Sequence, residues 1–306
     1  MNSGTVKDIL KLSRGLTYVA IIWYLLGALF AVLTGTTFNV WKFILGYCVA
    51  LPGVIVGTLT NSYYDVAIDK YSTPTPVSGG TNILSNRPEL LKTIRNLIIF
   101  CFSLSLTLGV VFTIVFSFPA TFFAFVVIAD FFAWAYTAPP LRLVYRGFGE
   151  IWTMIMGGFV IGGSGYFVIK GTIDLTYLLF SIPIMLMMFA FAFYVEIPDR
   201  EADLQGHKKT IVVRRDERFG FIISSLVLAG ATVCFLLFYL LRLLPESGSF
   251  LIIGLYSIIP VVFAVQGLRK YMADSATMVP SVFRSSISIL SVIMFIDAYF
   301  AYMIVM

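Results

Sequence analysis

Two clusters of polar residues have the spacing and the side-chain chemistry of a metal site. In each cluster, acidic or amide side chains recur at about every third or fourth position, and on an α-helix that spacing places them on one face. Pro198 lies within the second cluster and is expected to break or kink the helix that carries it, which would redirect the carboxylates of that cluster. The clusters consist of Asn61, Asp65 and Asp69, and of Glu196, Asp199 and Asp203.

The oxygen ligands in these clusters suit Mg²⁺, which proteins commonly hold through a few carboxylates together with substrate phosphates. Two facing clusters therefore predict a metal-bridged diphosphate site, in which the metal stabilises the charge on a departing diphosphate. The alternative is that each cluster is a solvated helix end, partly neutralised by Lys70, Arg200 and Lys208. The repeated spacing favours the metal site, because like charges four residues apart repel each other.

The elements that position these clusters are membrane helices. The sequence is 59% apolar and only 12% charged, whereas a soluble domain carries about 25% charged residues. Lipid must therefore surround most of the chain, which excludes a cytosolic enzyme and a disordered protein. The net charge of +5 is attributed to cytoplasmic loops and gives no indication of a nucleic-acid partner.

Nine apolar stretches are about as long as a membrane-spanning helix requires. They predict an all-α membrane protein with a single domain over residues 1–306. The nine predicted spans are Leu16–Gly35, Trp41–Asn61, Ile94–Val115, Ala120–Ala138, Glu150–Ile169, Tyr177–Val195, Phe219–Leu241, Phe250–Gly267 and Ser285–Met306.

The distribution of basic residues predicts the orientation of these spans. With the N-terminus in the cytoplasm, all but three of the 21 Lys and Arg residues lie on the cytoplasmic side; the exceptions are Lys42, Lys170 and Arg242. This bias is typical of membrane proteins. It predicts a protein of the cell membrane, with both polar clusters and Arg142 facing the cytoplasm.

Several motifs together resemble those of the UbiA-type intramembrane prenyltransferases. The first and second clusters are similar to the two aspartate-rich motifs of that family, and the resemblance covers most of the chain. Further matching positions are Arg14 near the first span, Pro76-Val-Ser78-Gly79-Gly80 after the first motif, and Tyr136-Thr137-Ala-Pro139-Pro140-Leu-Arg142 after the fourth span.

The resemblance implies a nine-helix bundle around a central cavity and an Mg²⁺-dependent transfer of a prenyl group from a prenyl diphosphate to a lipophilic acceptor. It implies central catalytic roles for Asp65 and Asp199. Tyr136 and Thr137 would donate hydrogen bonds to the diphosphate. Its basic partners would be Arg14, Lys70 and Arg142. Lys208 is a further candidate, but for it a purely topological role on the cytoplasmic side or a contact with lipid headgroups is favoured.

Two acids lie within predicted spans, where a charge is costly and indicates function. Asp130 stands where the family often has Asn, and it shares a helix face with Thr137, about 10 Å away along the axis. As a third catalytic candidate, it is expected to face the cavity and to orient the acceptor or accept a proton from it. The alternative is a protonated or hydrogen-bonded packing residue. No role is assigned to Asp297 or to the single histidine, His207.

The acceptor is left open by the sequence, with an aromatic quinone precursor preferred. Residues 197–203 resemble members that elongate carotenoids, whereas residues 78–80 resemble members acting on naphthoquinone precursors. An ether-lipid acceptor and a terpene cyclase on the same scaffold are further alternatives. A cation-coupled transporter is disfavoured, because transporter sites lie near the bilayer midplane. Prenyl length and oligomeric state are not determined by the sequence.

Overall fold

The structure is a computed structural model that describes residues 3–77 and 80–306. This part of the chain is helical and contains no β-strand, which confirms the all-α prediction. The α-helices are Ser3–Leu12 (α1), Arg14–Leu33 (α2), Val40–Tyr64 (α3), Val66–Asp69 (α4), Ile83–Asn86 (α5), Leu91–Val115 (α6), Ala120–Ala135 (α7), Gly149–Ile155 (α8), Ile161–Lys170 (α9), Leu175–Glu196 (α10), Arg200–Gln205 (α11), Ile211–Arg214 (α12), Glu217–Leu241 (α13), Ser249–Tyr256 (α14), Ile258–Ala273 (α15) and Met278–Val305 (α16).

Seven helical stretches of the described chain are long and apolar enough to cross a membrane. Two shorter apolar helices, Val19–Leu33 and Ala120–Ala135, coincide with the first and fourth predicted spans. The count of nine spans therefore stays a prediction. The seven long stretches are Val40–Tyr64, Pro88–Val115, Gly149–Lys170, Leu175–Glu196, Glu217–Leu241, Ser249–Ala273 and Ser275–Val305.

Two of the predicted spans are interrupted. A π-helical segment, Met156–Val160, joins α8 to α9, and such segments are frequent at functional sites. The eighth span divides at Ser257 into α14 and α15. The Ser257 hydroxyl donates a hydrogen bond to the carbonyl oxygen of Gly254, and the Thr232 hydroxyl in α13 donates to the carbonyl oxygen of Ser257, which ties the break to a neighbouring helix.

Glycines bring α2 and α9 into close contact. A Cβ added at Gly27 would overlap the carbonyl of Gly162, and one added at Gly165 would overlap the carbonyl of Tyr24. Small residues let membrane helices approach closely, and here they fix the two helices as adjacent walls of the interior.

Candidate active site

Each polar cluster starts at the end of a long helix and continues into a short one. The backbone N–H of Asp65, between α3 and α4, donates to the carbonyl of Asn61 at 3.0 Å, and that of Asp69 donates to Asp65 at 2.9 Å. Between α10 and α11, Asp203 donates to the carbonyl of Asp199 at 2.8 Å. These hydrogen bonds join residues four positions apart, as in an α-helix. The spacing that the sequence predicted for one helix face is therefore retained where each long helix gives way to a short one.

The two clusters line one cleft at the same end of the bundle. The break after α10 contains Pro198, as predicted, and it turns the second cluster toward the first. The six residues predicted as metal ligands all lie on the walls of this cleft, which is also lined by Tyr136 and Lys208. They are Asn61, Asp65, Asp69, Glu196, Asp199 and Asp203.

Lys208 joins the two clusters, which corrects the expectation that it contacts lipid headgroups. Its ammonium nitrogen lies 2.9 Å from Asp65 Oδ2 and 2.9 Å from Asp203 Oδ1, and only 12% of its side chain is exposed. Burial lowers the pKa of Lys208, but the carboxylates of Asp65 and Asp203 outweigh burial and raise it well above its usual value. The side chain therefore carries its positive charge at neutral pH.

A tight turn after α11 explains why Lys208 reaches the cleft. His207, which is exposed, adopts the left-handed conformation with φ of 58°, and the backbone N–H of Lys208 donates back to the carbonyl of Asp203 at 3.0 Å. The next segment is fixed by Glu150 at the start of α8, whose buried carboxylate accepts a hydrogen bond from the backbone N–H of Ile211. No spacing rule in the sequence revealed Glu150, because this contact joins distant segments.

Tyr145, which contacts the cleft residue Asp65, was also missed by sequence reasoning. Its hydroxyl donates to Asp65 Oδ1 at 2.6 Å, and the guanidinium of Arg142 lies 4.0 Å from the centre of its ring. Burial and then the charge of Asp65 raise the pKa of Tyr145, so the phenol stays protonated as a donor. The sequence contains one indication of this contact: Tyr145 lies in the loop 139–149, which is predicted to be on the cytoplasmic side together with both clusters.

The donor set of the cleft fits a hard cation such as Mg²⁺. All of the candidate ligands present oxygen atoms, and Asn61 Oδ1 and Glu196 Oε2 are buried without a hydrogen-bond partner. Within the described residues, however, no group of three or more acidic, histidine or cysteine side chains converges to enclose an ion. The Lys208 ammonium lies between Asp65 and Asp203, so a cation joining them would displace it or share the cleft with it.

The other predicted substrate-binding residues have different surroundings. Lys70 and Arg142 are exposed, and Thr137 is fully buried with a hydroxyl that has no partner. None of these three lines the cleft as the structure describes it. The side chain of Arg14, and Ser78 with Gly79, lie outside the described residues.

A larger, mostly apolar cavity of about 260 Å³ adjoins the cleft. Asn61, Tyr136, Val195 and Glu196 line both spaces, and the boundary that these four residues form is called the passage below. The ring of Tyr136 packs on Trp152, with ring centroids 4.2 Å apart, so one wall of this passage is aromatic.

Asp130 lies on the wall of this cavity and is 4% exposed. A Cβ at Gly53 would overlap Asp130 Oδ1, whereas Asp130 Oδ2 is buried without a partner. Asp297 in α16 is also buried with an unpartnered oxygen, but it does not line the cavity as described.

Comparison with known proteins places this geometry in context. The chain matches the sequence model of the UbiA prenyltransferase family over residues 20–287. It is 28% identical over 159 residues to a 1,4-dihydroxy-2-naphthoate octaprenyltransferase of Bacillus subtilis (strain 168). That match covers 52% of this chain and 50% of the relative, so it spans only half the length of the curated protein.

Solved structures share the fold. A UbiA homologue from Archaeoglobus fulgidus bound to DMAPP and Mg²⁺ has a TM-score of 0.61 and 15% identity, covering 95% of this chain and 99% of that one. A digeranylgeranylglyceryl phosphate synthase has a TM-score of 0.60 and 15% identity, covering 95% and 96%. At this level of identity the similarity establishes the fold.

Proposed function

Since the chain belongs to the UbiA prenyltransferase family, we propose that it transfers a prenyl group from a prenyl diphosphate to a lipophilic acceptor within a membrane. The observation that carries this proposal is that a charged cleft and an apolar cavity adjoin each other, with Asn61, Tyr136 and Glu196 on the walls of both. A prenyl diphosphate has the same division, because its head is strongly anionic and its tail is a hydrocarbon.

Mg²⁺ is the proposed cofactor, held by oxygens of the two clusters together with the diphosphate. When bound, it would stabilise the negative charge on the departing diphosphate. The unpartnered oxygens of Asn61 and Glu196 support this assignment, and so does the Mg²⁺ bound to the Archaeoglobus homologue. The proposed ligands are Asn61, Asp65, Asp69, Glu196, Asp199 and Asp203, with Asp65 and Asp199 at the centre of catalysis.

The chain's own donors would complete the diphosphate site. The Lys208 ammonium already lies between the two clusters and would contact phosphate oxygens there. Tyr145 orients Asp65 through its hydrogen bond, and Tyr136 stands in the passage where the allylic carbon would lie. Such an aromatic face stabilises a neighbouring cation.

The remaining basic residues would act before the substrate is seated. Lys70 and Arg142 are exposed outside the cleft and would attract an anionic diphosphate toward it. Arg14 is retained as a proposed diphosphate partner because of its motif position, and Thr137 as a proposed donor, although its hydroxyl would need to turn toward the substrate.

The proposed acceptor is an aromatic quinone precursor, supported by the naphthoate prenyltransferase of Bacillus subtilis. With an aromatic acceptor that has an unsubstituted ring position, the bond from the allylic carbon to the diphosphate oxygen would break, and its electron pair would leave with the diphosphate. That ring carbon would then bond to the allylic carbon and give up its proton to the departed diphosphate. An ether-lipid acceptor is the second candidate, favoured by the shared fold of the digeranylgeranylglyceryl phosphate synthase.

We propose that residues 1–306 form one domain of nine spans, with the N-terminus and the cleft on the cytoplasmic side of the cell membrane. The distribution of basic residues supports this orientation. Single cysteines at Ser72 and Gln205, in a background without Cys48, Cys101 and Cys234, should react with an impermeant reagent only when the cytoplasmic face is accessible. Labelling only from the outside would reverse the orientation.

The test of function uses the full chain in proteoliposomes with geranyl diphosphate and 1,4-dihydroxy-2-naphthoate. We expect a prenylated product and free diphosphate with Mg²⁺ and neither product in excess chelator. Asp199→Asn should abolish both, because it replaces a cleft carboxylate. The matched control is Glu201→Gln, an exposed acid in the same short helix that should remain active. Undiminished transfer in chelator or in Asp199→Asn would refute the proposed site.

A further inference from the structure

The serine and threonine hydroxyl groups on the wall of the apolar cavity already have partners. Every serine or threonine hydroxyl on its wall hydrogen-bonds to a backbone carbonyl, and none needs a ligand. The bonds run from Thr58 to Val54 and Ile55, from Ser105 to Val49, from Thr153 to Gly149, and from Ser164 to Val160.

Two other polar atoms on the cavity wall are buried and unpartnered away from the cleft. They are the carboxyl oxygen Oδ2 of Asp130 and the indole nitrogen Nε1 of Trp23. The two residues are only 4% and 7% exposed. One atom accepts a hydrogen bond and the other can only donate one. Among the described residues, the other unpartnered atoms on this wall belong to Asn61 and Glu196, at the passage to the cleft.

Helix packing places Trp23 and Gly53, the glycine that contacts Asp130, at nearly the same depth. Val168 in α9 packs against Gly46 in α3, and the backbone carbonyl of Trp23 packs against Gly162 in α9. Gly162 is six residues from Val168, or about 9 Å along the helix, and Gly53 is seven residues from Gly46, or about 10 Å. A donor and an acceptor therefore stand at mid-depth in an apolar space.

The Asp130 carboxyl is held in place rather than free to turn away. Gly53 leaves room for Oδ1 against the backbone of α3, where any larger residue would overlap it. Asn61 lies eight residues from Gly53 along α3, so this group is about 12 Å from the level of the passage. That distance separates it from the metal and diphosphate.

We propose that Asp130 and Trp23 bind an oxygen substituent of the acceptor, with a hydroxyl that donates to Asp130 Oδ2 and an oxygen that accepts from Trp23 Nε1. The inference rests on the proposed function and narrows the acceptor to an oxygenated ring compound. A hydrocarbon acceptor would leave both buried atoms unpaired. A ring system reaching from this site toward the passage brings its far carbon near the allylic carbon of the donor substrate.

Two ligands that differ only in hydroxyl groups test this inference. The binding of 1,4-dihydroxynaphthalene and of naphthalene to the full chain in micelles is measured by equilibrium dialysis under anaerobic conditions, with protein-free micelles subtracted. We expect the hydroxylated ring to bind at least about tenfold more tightly, the value of one ordinary hydrogen bond. Asp130→Leu and Trp23→Phe should each reduce this preference, whereas Asp130→Asn, which keeps an acceptor oxygen, should retain most of it.

The control is Asp297→Leu, which removes another buried carboxylate that does not line the cavity and should leave the preference unchanged. Equal binding of the two rings by the wild type, or an unchanged preference in both Asp130→Leu and Trp23→Phe, would overturn the inference. Binding of geranyl diphosphate with Mg²⁺ is measured in parallel. Its absence in the wild type would count against the proposed function, whereas the ring comparison would still decide the role of these two residues.

Discussion

Two acids of the cleft and the polar groups at the middle of the cavity are in opposite states. In the cleft, Asp65 and Asp203 share the buried ammonium of Lys208, and Tyr145 donates to Asp65. At mid-depth, Asp130 Oδ2 and Trp23 Nε1 are equally buried but have no partner.

The difference shows how one protein can serve two substrates of different polarity. Buried charges are tolerated when they are paired, so the cleft supplies its own counter-charge while awaiting an anionic head group and a cation. A buried donor and a buried acceptor without partners are costly, and one oxygenated ligand would satisfy both. Charge chemistry therefore belongs to the cleft, and recognition of the acceptor is proposed for the cavity.

Among the variants that test this comparison, the largest effect is expected from Asp65→Asn. This change removes the ion pair between residue 65 and Lys208 and also removes a proposed metal ligand. Metal stabilisation of a developing charge contributes several kcal/mol, so transfer should fall at least about a hundredfold. The assay is the initial rate of transfer in proteoliposomes, with Asp8→Asn as control, since Asp8 pairs with Arg87 away from the cleft. The binding of geranyl diphosphate is also measured in Asp130→Leu. A large loss of binding in that variant would contradict the assignment of the diphosphate to the cleft and of the acceptor to the cavity.

Lys208→Met should destabilise the metal-free protein. It leaves Asp65 and Asp203, whose side chains are 3% and 7% exposed, without their shared counter-charge. Breaking a buried ion pair in this way costs about 3–5 kcal/mol in free energy of unfolding. Thermal unfolding in detergent measures the loss, and added Mg²⁺ should restore part of it by binding the freed carboxylates. The control is Lys209→Met, the same substitution at the exposed neighbouring lysine. Equal destabilisation by the two substitutions would contradict the role of Lys208 as the counter-charge of Asp65 and Asp203.

A smaller effect is expected from Tyr145→Phe. The variant loses one hydrogen bond to the Asp65 carboxylate, worth about 1.5–3 kcal/mol, so the affinity for geranyl diphosphate with Mg²⁺ should fall roughly ten- to hundredfold. Tyr71→Phe, at a 61% exposed tyrosine beyond the first cluster, is the control and should bind normally. No loss in Tyr145→Phe would show that Asp65 is oriented without this donor.

The sequence was informative where function follows local spacing. The four-residue period of Asp65 and Asp69, and of Asp199 and Asp203, predicted shared faces that the structure retains across two helix interruptions. The apolar stretches predicted an all-helical chain, because membrane helices need a minimum apolar length.

The sequence was uninformative where function depends on contacts between distant segments. Lys208 resembled one more cytoplasmic lysine, because the turn at His207 that directs it into the cleft has no charge or hydropathy signal. Trp23 looked like an ordinary apolar-span residue, and the fit of Asp130 against Gly53 required the packing of α7 on α3 to be known.

The central claim is that the cleft and the cavity together bind one prenyl diphosphate. Its most direct test compares the affinity for a prenyl diphosphate with the affinities for its head group and for its tail alone. Affinities of the full chain in nanodiscs are measured for geranyl diphosphate, inorganic diphosphate and geraniol, each with Mg²⁺. If the cleft and the cavity form one continuous site, geranyl diphosphate binds far more tightly than either fragment, and chelation of Mg²⁺ removes that advantage. Geranyl diphosphate binding no more tightly than inorganic diphosphate would contradict the account.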